Sequence, residues 1–126
     1  MTYQMTREKY GATTKYAGFV SREEFFQSVF DNLNDPDFDR TRYAVMDFLD
    51  GMGHGVTLND VEVIGAYCLG AEFTNPNIKI AIVTTDQGIR DLVTGFTMLT
   101  HYPLDFFTLV ADAKSWVTQD AKDMPA

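Results

Sequence analysis

His54 is the residue best suited to chemistry in this chain, because a neutral imidazole titrates near physiological pH and can move a proton or bind a metal. It stands in Asp50-Gly51-Met52-Gly53-His54-Gly55, with Asp47 just upstream. A hydrolase-type enzyme using His54 with Asp47 or Asp50 would need those groups within hydrogen-bond reach. The alternating glycines let a backbone approach a ligand closely. Yet Gly51-x-Gly53-x-Gly55 is not the dinucleotide fingerprint, and no Gly-Lys-Ser/Thr follows it. Asp50 also disfavours an anion, so the segment reads as a flexible strand-to-helix turn. His54 and His101 are the only histidines, and no partner sits at a metal-binding spacing. His54 therefore reads as an exposed loop residue, Asp47 as a cap for neighbouring backbone groups, and no metal or cofactor is expected.

Three other sets of residues invite chemistry. Asp35, Asp37 and Asp39 alternate as calcium ligands do. A calcium loop starting at Asp35 would need Gly and Glu where Arg40 and Met46 stand, so residues 34 to 40 read as a polar connecting loop. Cys68 lies in an apolar helical stretch and reads as a small buried hydrophobe. Ser21, Ser28 and Ser115 occupy helical or capping positions, and no nucleophile elbow exists. Phe25, Phe26, Phe30, Phe96, Phe106, Phe107 and Trp116 recur at helix and strand spacings and read as core. If some line a cavity, its ligand is apolar. Met98 and Leu99, beside His101 and Tyr102, offer a patch for self-association.

The elements that must position these residues follow a rhythm of strand, capping signal and helix. Residues 2 to 8 and 12 to 19 predict an antiparallel hairpin broken at Tyr10-Gly11. Ser21-Arg22-Glu23-Glu24 is a capping box, followed by the stripe Phe25, Phe26, Val29, Phe30 and Leu33. A strand over residues 43 to 48 leads to a second box, Thr57-Leu58-Asn59-Asp60, and a helix to Phe73. In that helix Gly65 reads as a point of close approach to the sheet, and Gly70 has no evident role. Residues 78 to 83 predict a buried strand, then Thr84-Thr85-Asp86 and a helix from Gln87 to Thr100. Its spacing, Ile89, Leu92, Val93, Phe96 and Leu99, is one apolar face. Residues 104 to 107 and 109 to 117 predict the last strand and helix, with Val110, Ala113, Trp116 and Val117 inward. Residues 118 to 126 are expected to fray.

The expected fold is therefore α/β: one domain over residues 1 to 126, with an open mixed sheet of about five strands covered by about four helices. The hairpin is antiparallel and the later strands are largely parallel. A chain of 126 residues, 45% hydrophobic, supports such a core without disulfides, and its single cysteine permits none internally. The net charge of -8 repels phosphate backbones, so no nucleic-acid partner is expected. No signal-peptide core and no apolar run of about 18 residues occurs, which predicts a cytoplasmic protein without membrane insertion.

This order resembles the SpoIIAA-like branch of the STAS superfamily across residues 3 to 118. The resemblance is carried by Arg42-Tyr43-Ala44-Val45-Met46-Asp47, by Ile80-Ala81-Ile82-Val83-Thr84, and by Phe107-Thr108 with Ala113 and Trp116-Val117. These motifs speak for fold more than for activity. The family's regulatory branch carries a phosphorylatable serine before the second helix. Here residues 47 to 57 contain no serine, and Thr57, the nearest hydroxyl, is a helix cap. The resemblance implies a non-enzymatic, regulatory domain acting through protein contacts, with a homodimer as one assembly. The alternative is a binding module for a small lipophilic ligand, with an apolar cavity of several hundred Å³ as its expected mark. In open parallel sheets ligands sit at strand carboxyl ends, near a topological switch point. The expected partner or ligand edge is therefore Asp50, Gly51, Gly53, His54, Gly55 and Thr57, with Thr84, Thr85 and Asp86.

Overall fold

The computed structural model describes residues 3–119. In chain order the elements are β1 (Tyr3–Glu8), β2 (Gly11–Val20), α1 (Arg22–Leu33), a 3-10 turn (Phe38–Arg40), β3 (Tyr43–His54), α2 (Leu58–Thr74), β4 (Lys79–Val83), α3 (Gln87–Thr97), β5 (Leu104–Phe107) and α4 (Val110–Val117). The strands form one sheet in the order β1-β2-β3-β4-β5. The β1-β2 hairpin is antiparallel and every other pair is parallel. The α/β architecture anticipated above is thus the one formed. Of the expected frayed tail, residues 120 to 126 lie outside the described residues.

Alternation along the strands builds two cores. Ile80 and Ile82, with Tyr16 and Phe48, face α1, α2 and α3. Tyr43, Val45, Ala81 and Val83 face α4. A strictly sequential strand order explains this division, because successive right-handed crossovers all fall on one side. The same order never reverses, so no switch-point crevice forms.

The capping signals act as written. Ser21 Oγ accepts from Glu24 N at 3.1 Å, and Thr57 and Asp60 bond reciprocally. Gly11 is required by packing, since a Cβ there would lie 2.4 Å from the Tyr43 carbonyl oxygen. Four local expectations are corrected. The glycine-rich stretch is not a loop: β3 continues through Asp50, Gly51 and Gly53 to His54 because β2 pairs along it, Ala17 with Asp50 and Val20 with His54. The ladder is irregular there, and Gly18 (φ 68°) and Gly53 (φ 93°) take left-handed conformations that suit glycine. Phe38 lies in a stretch read as polar, yet it is buried in the core. Gly65 meets Leu99 rather than the sheet, and a Cβ there would sit 2.8 Å from that side chain. Helix α3 also stops at Thr97, three residues early, because Thr100 and His101 turn toward Glu72.

Candidate functional site

Beneath α1 and α2 lies an apolar cavity of about 100 Å³. Its floor is the centre of the sheet: Ala44 and Met46 of β3 and Ile80 of β4. Ala44 and Met46 are only half-buried although they occupy a central strand. The walls are Phe25, Val29 and Leu33 of α1 and Val61, Ile64 and Cys68 of α2, and Phe38 and Tyr102 also line it. The polar groups in the lining are few: Asn32, Thr41, Cys68 and Tyr102. The Tyr102 hydroxyl donates to Asn75 O at 2.6 Å, and Asn32 Nδ2 donates to Ser28 O at 3.1 Å.

Large side chains hold the helices away from the floor. Tyr16 stacks on Phe48 with centroids 4.5 Å apart, and Phe25 leans on both rings. The buried Tyr16 hydroxyl and Ser28 Oγ share a 2.5 Å hydrogen bond that ties α1 to β2. Helix α2 is pinned at its ends instead. At its start, Asp60 accepts from Arg22 Nε at 2.6 Å. The bond from the Thr57 backbone, together with Arg22, keeps the Asp60 carboxyl below its usual 3.8. At its end, Glu72 accepts from Thr100 Oγ1 and His101 N, both at 2.6 Å, and meets His101 Nδ1 at 2.9 Å. Burial pushes the Glu72 carboxyl up, but these bonds outweigh it and hold it below the usual 4.5. Between the two clamps α2 spans the cavity, and burial there, with the nearby Glu72 charge, pushes the Cys68 thiol up to about 12.

Most of the residues singled out from sequence have structural partners. Asp50 pairs with Lys15 at 3.0 Å. His54 Nδ1 accepts from Val56 N at 3.1 Å, and Gly55 N donates to Val20 O. Thr57 caps α2. Thr84 is buried, its hydroxyl accepting from Asp86 N at 3.0 Å, while Thr85 is exposed. Asp86 caps α3 through Gly88 N and Ile89 N. Asp47 Oδ1 accepts from Leu49 N at 3.0 Å, the capping role expected of it. Because β3 pairs along β2, with Asp47 opposite Lys15, Asp50 opposite Ala17 and His54 opposite Val20, His54 stands about 10 Å along the ladder from Asp50 and about 17 Å from Asp47, at ~3.3 Å per β2 residue. The proposed acid–base pair is not assembled. Among the described residues no group of three or more His, Cys, Asp or Glu could hold a metal ion, the three loop aspartates included. No helix of the described residues is long and apolar enough to cross a membrane.

Sequence reasoning missed the floor and ends of the cavity: Ala44, Met46, Phe38 and Tyr102. One signal was present, a small alanine in a central strand beneath large aromatic neighbours.

No family model matches the chain, and no curated protein does. Among solved structures, a protein of the DUF3478 family from Shewanella loihica PV-4, itself uncharacterized and described as having a SpoIIAA-like fold, matches over 91% of both chains with a TM-score of 0.58. The fold is SpoIIAA-like. At 17% identity the likeness speaks for architecture alone. Within this SpoIIAA-like frame, function has to be argued from the cavity and the surface.

Proposed function

We propose that the protein is a binding module for a small apolar ligand held between the sheet and helices α1 and α2. The observation that carries this reading is the cavity, whose wall is almost wholly hydrocarbon and aromatic at the centre of the fold. Burying apolar surface there drives binding, and the few polar groups at Asn32 and Thr41 can orient the occupant. This reverses the order of the two non-enzymatic readings of the sequence. The cavity is smaller than the several hundred Å³ expected of a drug-sized ligand. It matches one aromatic ring or a short alkyl chain, since dry apolar voids of about 150 Å³ accept benzene.

Native mass spectrometry of unrefolded protein, paired with titration of a fluorescent apolar probe, tests this. The expected result is a bound small molecule released on solvent extraction. Probe affinity should fall at least tenfold in Ala44→Leu, which fills the floor while the circular dichroism spectrum stays unchanged. Clean apo-protein and equal probe binding by both proteins would remove the reading.

A second reading, protein contact at the strand-exit edge, is favoured by exposed Phe19 and Met52 on the irregular β2-β3 extension beside Asp50, Gly51, Gly53 and His54. Met52→Lys and Phe19→Lys on that edge should abolish a regulatory contact and leave probe binding intact.

A further inference from the structure

From Val63 to Phe73, helix α2 is apolar on both its inner and its outer face, with Glu72 its one charged residue. Inward, Val61, Ile64 and Cys68 roof the cavity. Outward, Val63, Ala66, Leu69, Gly70 and Phe73 are all exposed. Phe73 is 94% exposed, and Met98, beside the crossing of Gly65 and Leu99, is 86% exposed. Tyr67 continues the surface toward α1, its ring edge-on to Phe30 at 5.0 Å. A helix that is apolar all round belongs in an interior. Left uncovered, such a face marks an interaction surface.

We propose that this face binds α2 of a second copy of the chain, in an antiparallel crossing about a two-fold axis. The face is self-complementary, as a two-fold interface requires. Gly70 has no atom within 4 Å of the position a Cβ would take, and Ala66 lies one turn earlier, so the two form a trough. Leu69 and Phe73 stand as ridges beside it. An axis between positions 69 and 70 seats Phe73 of each copy over Ala66 of the other and lets the backbones approach at Gly70.

Charge selects the occupant. The chain carries -8 overall, yet the only charged residue from Val63 to Phe73 is Glu72, which is turned to Thr100 and His101. The centre of the crossing is therefore free of the like-charge repulsion that an acidic protein meets elsewhere on its surface, and exposed Glu62 lies at its outer end. No Lys or Arg occurs between Tyr43 and Ile78, so α2 has no cation to engage anionic headgroups, which surface-lying membrane helices require. Fully covered, the exposed side chains of α2 with Met98 would bury roughly 600–700 Å² per copy. Doubled across the axis, that reaches the ~1,200 Å² at which stable interfaces begin. The outer face of α2 is separate from the cavity, so its pairing does not depend on what fills the cavity.

Sedimentation velocity between about 1 and 100 μM, a range that brackets a micromolar dissociation constant, tests the proposal. Wild type is expected at twice 14.2 kDa. Gly70→Glu places two carboxylates across the axis at a site where, among the described residues, nothing outside its own stretch of helix lies within 4 Å. It should weaken association about 100-fold, a change of about 2.7 kcal/mol, with an unchanged circular dichroism spectrum. Phe73→Glu should do the same from a fully exposed position. A wild type that stays at 14.2 kDa across the range overturns the proposal, as does a dimer that resists either substitution. A monomer that instead sediments with phosphatidylcholine–phosphatidylglycerol vesicles, and loses them on Gly70→Glu, assigns the face to lipid and also overturns it.

Discussion

The two faces of the sheet are packed by opposite means. On the α4 face, Ala81 and Ala113 are fully buried, and Val45, Val83 and Val117 fill the space around them. Small side chains let the helix come down onto the strands, and Phe107 and Trp116 close the flank with centroids 5.6 Å apart. On the other face, Tyr16, Phe25, Phe48 and Phe96 hold α1, α2 and α3 off the strands, and a void remains. The same sheet thus serves as a closed scaffold on one side and an open one on the other. Close packing of small residues stabilises through dispersion and leaves nowhere for a ligand. Ring-on-ring packing leaves gaps that a ligand can fill.

Substitutions that enlarge a side chain should separate the faces. Ala113→Leu on the closed face has no room and should destabilise by about 3 kcal/mol, read from urea unfolding midpoints. An equal or larger loss from Ala44→Leu on the cavity floor would erase the contrast.

Next in size is the clamp that fastens α4. Glu8 bonds to Lys114 and accepts from Tyr43 Oη at 2.6 Å. Burial pushes the Glu8 carboxyl up, but these bonds outweigh it and leave it below the usual 4.5. Its contribution is therefore complete above 4.5, its unfolded value, and is lost as pH falls through the lower folded value. Glu72, and Asp60 from its own 3.8, follow the same sign. Glu8→Gln should lower stability by about 1–2 kcal/mol at neutral pH and flatten part of the acid dependence. A stability–pH curve between pH 3 and 7 with the same slope in both proteins would show that the clamp is not what titrates.

On the open face, Ala44→Val adds a β-branched side chain to a strand and fills part of the void. It should stabilise by up to about 1 kcal/mol, with apolar-probe binding reduced. The smallest effect concerns Cys68. Its thiol, raised to about 12 by burial, should resist a charged alkylating reagent at pH 8 and react fully once urea unfolds the chain. Rapid native labelling, measured by mass, would mean that α2 opens readily.

Local signals carried much of the fold. Thr57-Leu58-Asn59-Asp60 and Thr84-Thr85-Asp86 marked helix starts, because an oxygen side chain at that position satisfies free backbone N–H groups wherever it occurs. The inward faces of α3 and α4 were legible from periodicity, and so was the parallel run of strands. The candidate site was mostly hidden. Three alternating glycines look like a loop in any linear reading, and only the neighbouring β2 shows them to be strand. The distance between His54 and Asp47 follows from that pairing and not from their spacing in the chain. Phe38 looked like a stray ring in a polar stretch until the 3-10 turn carried it inward.

The sequence by itself determined where elements begin, which side of each is apolar, and that strands and helices alternate, since these depend on neighbours within a few residues. Only the tertiary structure decided that the helices divide three to one between the faces, that rings hold one layer off the sheet, and that α2 is left bare outside. Those outcomes depend on side chains far apart in the chain meeting at a given size and distance, and no local pattern encodes the space left between them.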